Sequence, residues 1–98
     1  MTEVQVVATI EAKPESADQI RELLIALVAS SREEEGCVSY NVSESASTPG
    51  TFVTVELWRS QEDLDRHLQS PELQKTIAGA AQYFAAPPGI HPLRPIEV

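Results

Sequence analysis

The chain has 98 residues, 42% of them hydrophobic, which fits one folded domain over residues 1–98 and is too apolar for a disordered tail. Its formal net charge is −8, with seven scattered Lys and Arg, so neither nucleic acid nor an anionic membrane is expected as a partner. No apolar run approaches the roughly 20 residues that span a bilayer, and with no signal-peptide pattern and a single cysteine, a cytoplasmic protein is expected.

The first two elements are predicted to be a strand and a helix. Residues 3–12 alternate between the two faces of an extended chain, which predicts a β-strand. Ser16 and Gln19 have the spacing of a capping box. Apolar residues then recur at helical spacing, which predicts a helix over about 16–34 that ends at Gly36.

A hairpin and a second helical region follow. Residues 37–46 and 51–59 alternate again and are separated by turn residues, which predicts two antiparallel strands. The alternation places Val38 on the same face as Tyr40. Ser60 is predicted to begin a short helix, and a second helical stretch is predicted to start at residues 70–71, where proline suits a first helical position.

The last segment, residues 90–98, is predicted to be an extended segment at a sheet edge because it contains prolines. The order strand, helix, strand, strand, helix, strand is the ferredoxin-like βαββαβ pattern of the α+β class, a four-stranded antiparallel sheet with two helices on one face. Both faces of strand 51–59 are largely apolar, but the helices cover only one. We therefore expect a homodimer formed by sheet-to-sheet packing.

Four short motifs resemble a known family. They are, in chain order, Ala12-Lys-Pro14, Arg32-x-x-Glu35-Gly-Cys-x-x-Tyr40, Phe52-x-x-x-Glu56-x-Trp58-x-Ser60, and His67. Together they resemble the antibiotic biosynthesis monooxygenase domain of the dimeric α+β barrel superfamily, over about residues 3–93. The resemblance implies a small dimer with a cavity between sheet and helices, and oxygenation without metal, flavin or haem.

Two branches of this family differ from the chain. The haem-degrading members resemble one another in an Asn on the first strand, where this chain has residues 6–9, and in a haem-ligating His near residues 76–78. Neither residue is present here, so haem degradation is not expected. Polyketide-type monooxygenases are similar at Trp58 but carry Asn where this chain has Thr54, a shorter hydrogen-bonding group that could position a substrate.

The chemistry implied by the resemblance requires a proton acceptor. A hydroquinone or anthrone is its own reductant once it loses a proton, and the protein supplies a base, oxyanion donors and a dry cavity. His67 is the candidate base, since histidine titrates near neutrality and this residue lies on the inward stripe of the second helical region. The alternative is a packed histidine bonded to a backbone carbonyl, or a histidine at the rim of the cavity.

Other candidate site residues surround this joint between strand and helix. Trp58 offers an N–H donor and a flat apolar wall, or is simply a core residue. Glu56 shares its face and could tune His67 or bind a backbone N–H. Four aromatic residues could line a pocket for a planar ligand, or could pack in the core: Phe52, Tyr40, Tyr83 and Phe84.

The remaining chemistry-bearing residues have no predicted function. Cys37 is expected to be a small buried hydrophobe, His91 is too isolated to be a ligand by itself, and the acidic run 33–35 has no assigned role. No motif for a metal or a nucleotide is present in the sequence.

We therefore predict a cofactor-independent monooxygenase acting on a small quinol, polyphenol or anthrone-like aromatic. The alternative is a non-catalytic dimeric module that binds a small aromatic molecule or serves a stress response. Isomerisation of a small polar metabolite ranks last, because the predicted pocket has few polar groups.

Overall fold

The sheet and its helices set the position of every candidate residue. The computed structural model describes residues 2–98, which form one antiparallel sheet and three α-helices. The elements are β1 (Val4–Glu11), α1 (Ala17–Arg32), β2 (Cys37–Glu44), β3 (Thr51–Trp58), α2 (Gln61–Leu68), α3 (Pro71–Ala80) and β4 (Gly89–Leu93). The strand order is β2-β3-β1-β4, with antiparallel neighbours throughout. This confirms the predicted ferredoxin-like α+β fold.

The second helical region is two helices, as its sequence predicts. Ser70 separates them, with its Oγ accepting a hydrogen bond from the backbone N–H of Leu73 at 3.2 Å, and Pro71 occupies the first position of α3. The final strand is shorter than predicted, because only Gly89–Leu93 pair with β1 at the sheet edge.

Ser16 and Ser60 are both predicted to begin a helix, and the structure treats them differently. Ser16 makes no side-chain cap bond, because a short 3₁₀ turn (Pro14–Ser16) leads the chain into α1 in place of an extended residue. Ser60 is extended, and its Oγ accepts from the backbone N–H of Asp63 at 3.2 Å. The same hydroxyl donates to the Asp63 carboxylate at 2.7 Å, which fastens the start of α2.

The core lies between α1 and the inward face of β1. Alternate residues of β1 are buried there, including Ala8 and Ile10, and they pack against Ile20 and Leu24 of α1. Full burial of such a side chain stabilises a fold by about 1.5–3 kcal/mol. The alternation in β1 therefore fixes which face of the sheet meets the helices.

The first residues of β2 depart from simple alternation. The predicted shared face of Val38 and Tyr40 is wrong, because the register against β3 shifts between Cys37 and Ser39. Val38 is consequently 51% exposed, whereas Tyr40 is buried. The shift allows Tyr40 to point toward the helices from the middle of the strand.

The opposite face of the sheet carries apolar side chains and faces away from the helices. Val55 and Leu93 are 43% and 42% exposed, and the two strands that carry them flank β1. Val7 of β1 and Val53 and Leu57 of β3 share this face and are half-buried. None of the helices formed within residues 2–98 has the length and apolar character needed to cross a membrane.

Candidate active site

A cavity of about 60 Å³ lies between the sheet and the helices. Its wall is mostly aliphatic, formed by side chains of α1 and α3 and by the inward face of β1. Five polar residues line it, one of which is Thr76 on α3. The other four adjoin one another, and we call them the polar cluster: Tyr40, Thr54, Glu56 and His67. The cavity therefore combines a short stretch of hydrogen-bonding groups with an apolar remainder, which is typical of small-molecule sites.

His67, on α2, is held between the aromatic rings of Tyr40 and Trp58. Only 2% of its surface is exposed. Its ring lies 4.4 Å from the Trp58 ring at an interplanar angle of 30°, and 5.8 Å from the Tyr40 ring at 66°. The packing fixes the plane of the imidazole, so its orientation is determined before any ligand arrives.

Glu34 provides the hydrogen-bonding partner of His67. Its Oε2 lies 2.8 Å from Nδ1 of the imidazole, and no other hydrogen bond to the ring is formed within residues 2–98. A carboxylate at Nδ1 favours the tautomer with the proton on that nitrogen, which leaves Nε2 as the acceptor. The alternative of a histidine bonded to a backbone carbonyl is not what the structure contains.

The turn after α1 positions Glu34. Its backbone N–H donates to the Ser31 carbonyl at 3.1 Å, and its own carbonyl accepts from the Cys37 N–H at 3.1 Å. Arg32 ties the end of the helix to β2, donating to the Tyr40 carbonyl at 2.9 Å. These bonds hold the acidic run close to α2.

Gly36 completes this turn in the left-handed conformation, at φ 90°. The predicted left-handed conformation of Gly36 is confirmed, but the predicted helix end is wrong, because α1 stops at Arg32 and is capped by Glu33. A Cβ on Gly36 would lie only 2.2 Å from Cγ of Asp63, so the turn packs directly on the first turn of α2. His67 is one helical turn beyond Asp63, which places it opposite Glu34.

Glu56 is a buried acceptor, 4% exposed, on the inward face of β3. Thr54 donates its hydroxyl to Oε2 at 2.8 Å, and the Trp58 indole N–H donates to Oε1 at 3.0 Å. The predicted contacts of Glu56 with His67 or a backbone N–H are therefore replaced by contacts within its own strand. The three residues alternate along β3 and so share one face.

Trp58 is a core residue, which is the alternative stated for it above. Its N–H is used by Glu56, and the residue is fully buried without lining the cavity. The indole N–H is thus engaged by Glu56, and this contact gives no support to a hydrogen bond from Trp58 to a ligand. Its observed contribution is the flat surface against which the His67 ring packs.

Tyr40 supplies the hydroxyl donor of the polar cluster. Burial raises the pKa of Tyr40 above that of an ordinary phenol, and the negative charge of Glu56 raises it further. The hydroxyl therefore stays protonated at neutral pH. A neutral O–H group in a dry cavity can donate to an oxygen that becomes negative during a reaction.

The structure brings five of the eight predicted site residues to the cavity. These are His67, Thr54, Glu56, Tyr40 and Phe84. Phe52 lies in the core, with the Arg21 guanidinium 5.6 Å from its ring centroid. Tyr83 borders a separate surface depression beside α1. Core packing, the alternative stated for these aromatics, applies to Phe52.

Glu34 is the site residue that sequence reasoning missed. A signal was present, because three consecutive acidic residues at the end of α1 oppose the helix dipole and require a compensating partner. Glu35 pairs with Arg59, whose Nη2 lies 3.7 Å from Oε1 of the carboxylate. Glu34 pairs with His67. The identity of these partners depends on the turn at Gly36.

Cys37 and His91 lie outside the polar cluster. Cys37 is only partly buried, and burial raises the pKa of its thiol, with the charges of Glu34 and Glu56 adding to the effect. His91 is exposed on β4, paired with Val7. Across residues 2–98, no group of three or more His, Cys, Asp or Glu side chains is arranged to hold a metal ion.

Comparison with known proteins gives consistent matches. A family model described as "Antibiotic biosynthesis monooxygenase" matches residues 4–79, a range that includes the polar cluster and Glu34. "Putative monooxygenase Rv0793" of Mycobacterium tuberculosis is 33% identical over 94 residues, covering 96% of this chain and 92% of that protein. "Putative monooxygenase YcnE" of Bacillus subtilis is 30% identical over 80 residues, covering 82% and 84%.

A third relative is longer. "Uncharacterized protein sll1783" of Synechocystis is 29% identical over 84 residues, and the match spans only 57% of its length. Among solved structures, that of Rv0793 superposes with a TM-score of 0.89 at 32% identity, covering 99% of this chain and 98% of that chain. The structure of PA3566 from Pseudomonas aeruginosa gives 0.89 at 29% identity, covering 99% and 97%.

Proposed function

Because the chain belongs to the antibiotic biosynthesis monooxygenase family, we propose that it is a cofactor-independent monooxygenase that oxidises a small quinol or polyphenol with O₂. The match to the family model confirms the resemblance found in the sequence motifs. The names of the relatives support a general monooxygenase-like function. The substrate class and the absence of a cofactor belong to the proposal.

The observation that carries the proposal is the pairing of His67 with Glu34 at the edge of an apolar cavity. With Nδ1 bound to a carboxylate, Nε2 is the nitrogen that can accept a proton from a ligand hydroxyl. The imidazolium that forms is stabilised by Glu34, so proton transfer leaves no isolated positive charge in the protein.

The reaction balances without an added reductant. A quinol and O₂ give a hydroxyquinone and water, and the substrate supplies all four electrons. His67 accepts the hydroxyl proton, and the resulting anion passes an electron to O₂. The radicals combine in a C–O bond, and the peroxide then accepts a proton from the imidazolium. His67, neutral again, then accepts the hydrogen of the peroxide-bearing ring carbon as a proton. The electron pair of that C–H bond forms the carbonyl, the O–O bond breaks, and the departing hydroxide takes the proton and leaves as water.

The other residues of the cavity support this sequence of steps. Tyr40 donates to the oxygen that becomes negative, while the aliphatic wall excludes water from the reactive anion. Thr54 is already bonded to Glu56, so its role is to hold that carboxylate in place.

The size of the cavity favours the smaller members of the predicted substrate class. An apolar cavity of about 150 Å³ holds benzene, whereas this one measures about 60 Å³. Even a single ring therefore requires the walls to move apart. A three-ring anthrone would require far more, so we propose single-ring quinols as the preferred substrates.

We also propose that two copies associate through the apolar outer face of the sheet. Val55 and Leu93 are exposed on this face, beside the half-buried Val7. Packing this face on a second copy would stabilise the pair by about 25 cal/mol for each Å² of apolar area removed from water. Because the helices lie on the other side of the sheet, such a dimer leaves the cavity intact.

Oxygen uptake tests the activity. We would measure it with metal-free protein and with single-ring hydroquinones, naphthoquinols and anthrones, subtracting the autoxidation of each. The variant His67→Gln retains an amide that can bond Glu34 but cannot accept the proton. We expect uptake with hydroquinones and its loss in the variant.

Two outcomes would contradict the proposal. Uptake that is equal in His67→Gln and in the native protein removes the assigned base. Tight ligand binding with no uptake for any compound identifies the alternative, a non-catalytic binding module, in which His67→Gln would change affinity only.

A further inference from the structure

We infer that the cavity selects uncharged ligands, and that Glu56 is the residue that excludes anionic ones. The inference rests on the proposed function for the location of the ligand and adds to it the charge class of that ligand. Carboxylated aromatics of suitable shape are then excluded, although the cavity wall would accommodate their rings.

In the described part of the chain, the cavity wall contains one carboxylate and no permanently charged cation. Glu56 lines it, and no Lys or Arg does so within residues 2–98. Arg32 approaches the neighbouring strand, but it donates to the Tyr40 carbonyl and the Asn41 side chain, each at 2.9 Å, and does not line the cavity. An anionic ligand would therefore lose its water without gaining a positive partner.

Glu56 has the contacts of an ionised carboxylate. Both of its oxygens accept hydrogen bonds, one from Thr54 and one from Trp58, and neither of these donors carries a positive charge. The charge is thus held in place by dipoles and remains uncompensated at the cavity wall. A second negative charge nearby would experience strong repulsion, because the surroundings are apolar.

Proton transfer from a neutral ligand avoids this penalty. When a hydroxyl proton moves to His67, the ligand anion and the imidazolium appear together, so the total charge of the site is unchanged. Glu34 balances the imidazolium from the other side of the ring. A ligand that arrives already ionised brings no proton for His67, so it adds a charge that only a proton taken up from solvent would offset.

Binding of three matched probes tests the inference without any turnover. The probes are 4-propylphenol, 4-propylbenzamide and 4-propylbenzoate, titrated calorimetrically at pH 7 against the full chain. The phenol and the amide are neutral, whereas the benzoate is charged and nearly the same shape as the amide. We expect both neutral probes to bind and the benzoate to bind at least about tenfold more weakly than the amide.

The variant Glu56→Gln tests the assignment to one residue. We expect it to bring the affinities of benzoate and benzamide to within about threefold. Glu33→Gln, which makes the same change in net charge at an exposed position, should preserve the native ratio. If Glu56→Gln does not fold, the comparison of the three probes on the native chain still decides the charge preference.

Benzoate binding as tight as benzamide binding overturns the inference, as does the absence of binding by all three probes. An unchanged ratio in Glu56→Gln overturns the role of Glu56. A lack of oxygen uptake affects only the proposed function, because these titrations do not depend on catalysis.

Discussion

The Glu34 carboxylate lies 2.8 Å from Nδ1 of His67, a residue 33 positions further along the chain. The contact joins the turn after α1 to α2 and selects which ring nitrogen accepts a proton. Glu34→Gln replaces an obligate acceptor by an amide that can also donate, so the two tautomers become mixed. We expect oxygen uptake to fall roughly 10- to 100-fold, part of the effect of a lost general base.

Nitrogen NMR shifts of the His67 ring provide a direct check on that prediction, since they distinguish the two tautomers. Glu33→Gln is the matched control, because Glu33 is exposed at the adjacent position. Full activity and a single tautomer in Glu34→Gln would contradict the positioning role.

Gly36→Ala should destabilise the fold. Alanine at φ 90° is strained, and its Cβ would lie 2.2 Å from Cγ of Asp63. We expect a loss of about 2 kcal/mol or more in the free energy of unfolding, measured by urea denaturation. Gly79→Ala is the control, since that helical position has no atom within 4 Å of the new Cβ. There a gain of about 0.5–1 kcal/mol is expected, and equal effects at the two sites would refute the argument.

Asp63 makes the free energy of unfolding depend on pH in the acid range. Its hydrogen bond from Arg59, followed by those from Ser60 and Arg66, lowers its pKa from 3.8 to about 2. A carboxyl with a lowered folded-state pKa stabilises the fold fully above its unfolded pKa, and this contribution disappears as pH falls between about 4 and 2. Asp63→Asn should therefore lower the urea midpoint at pH 7, with the difference shrinking over this interval.

Circular dichroism at a series of pH values would follow that difference. Glu62→Gln, an exposed neighbour on α2, should leave the midpoint near the native value. A constant difference between Asp63→Asn and the native chain from pH 7 to pH 2 would show that the ionised carboxylate is not the cause.

Val55→Asp tests the proposed dimer. The substitution places a charge in the middle of the apolar outer face, where burial against a second copy would be strongly unfavourable. We expect the mass measured by light scattering to be that of two chains for the native protein and one chain for the variant. Ile25→Asp, at a 59% exposed site on α1, should leave the mass unchanged. A native protein with the mass of one chain would disprove the association.

The strands could be predicted because their burial is set locally. The alternation of β1 survives in the structure, since one face meets the helices and the other does not. The shift between Cys37 and Ser39 could not be predicted, because it depends on pairing with a distant strand. The same dependence explains the wrong prediction for Val38.

The candidate site was only partly predictable for a related reason. His67 lies on a helix whose apolar stripe is visible in the sequence, so its inward position follows from spacing. Glu34 required knowledge of the turn at Gly36 and its packing on Asp63, which are tertiary features. The contact of Trp58 with Glu56, in contrast, follows from residues two apart on one strand face and could have been anticipated.

The position of the single tryptophan has a practical consequence. Its indole packs at 4.4 Å on the one histidine of the polar cluster. An imidazolium quenches indole emission more strongly than a neutral imidazole does. The tryptophan fluorescence of the unlabelled protein therefore comes from one residue and reports, in real time, the protonation and displacement of His67.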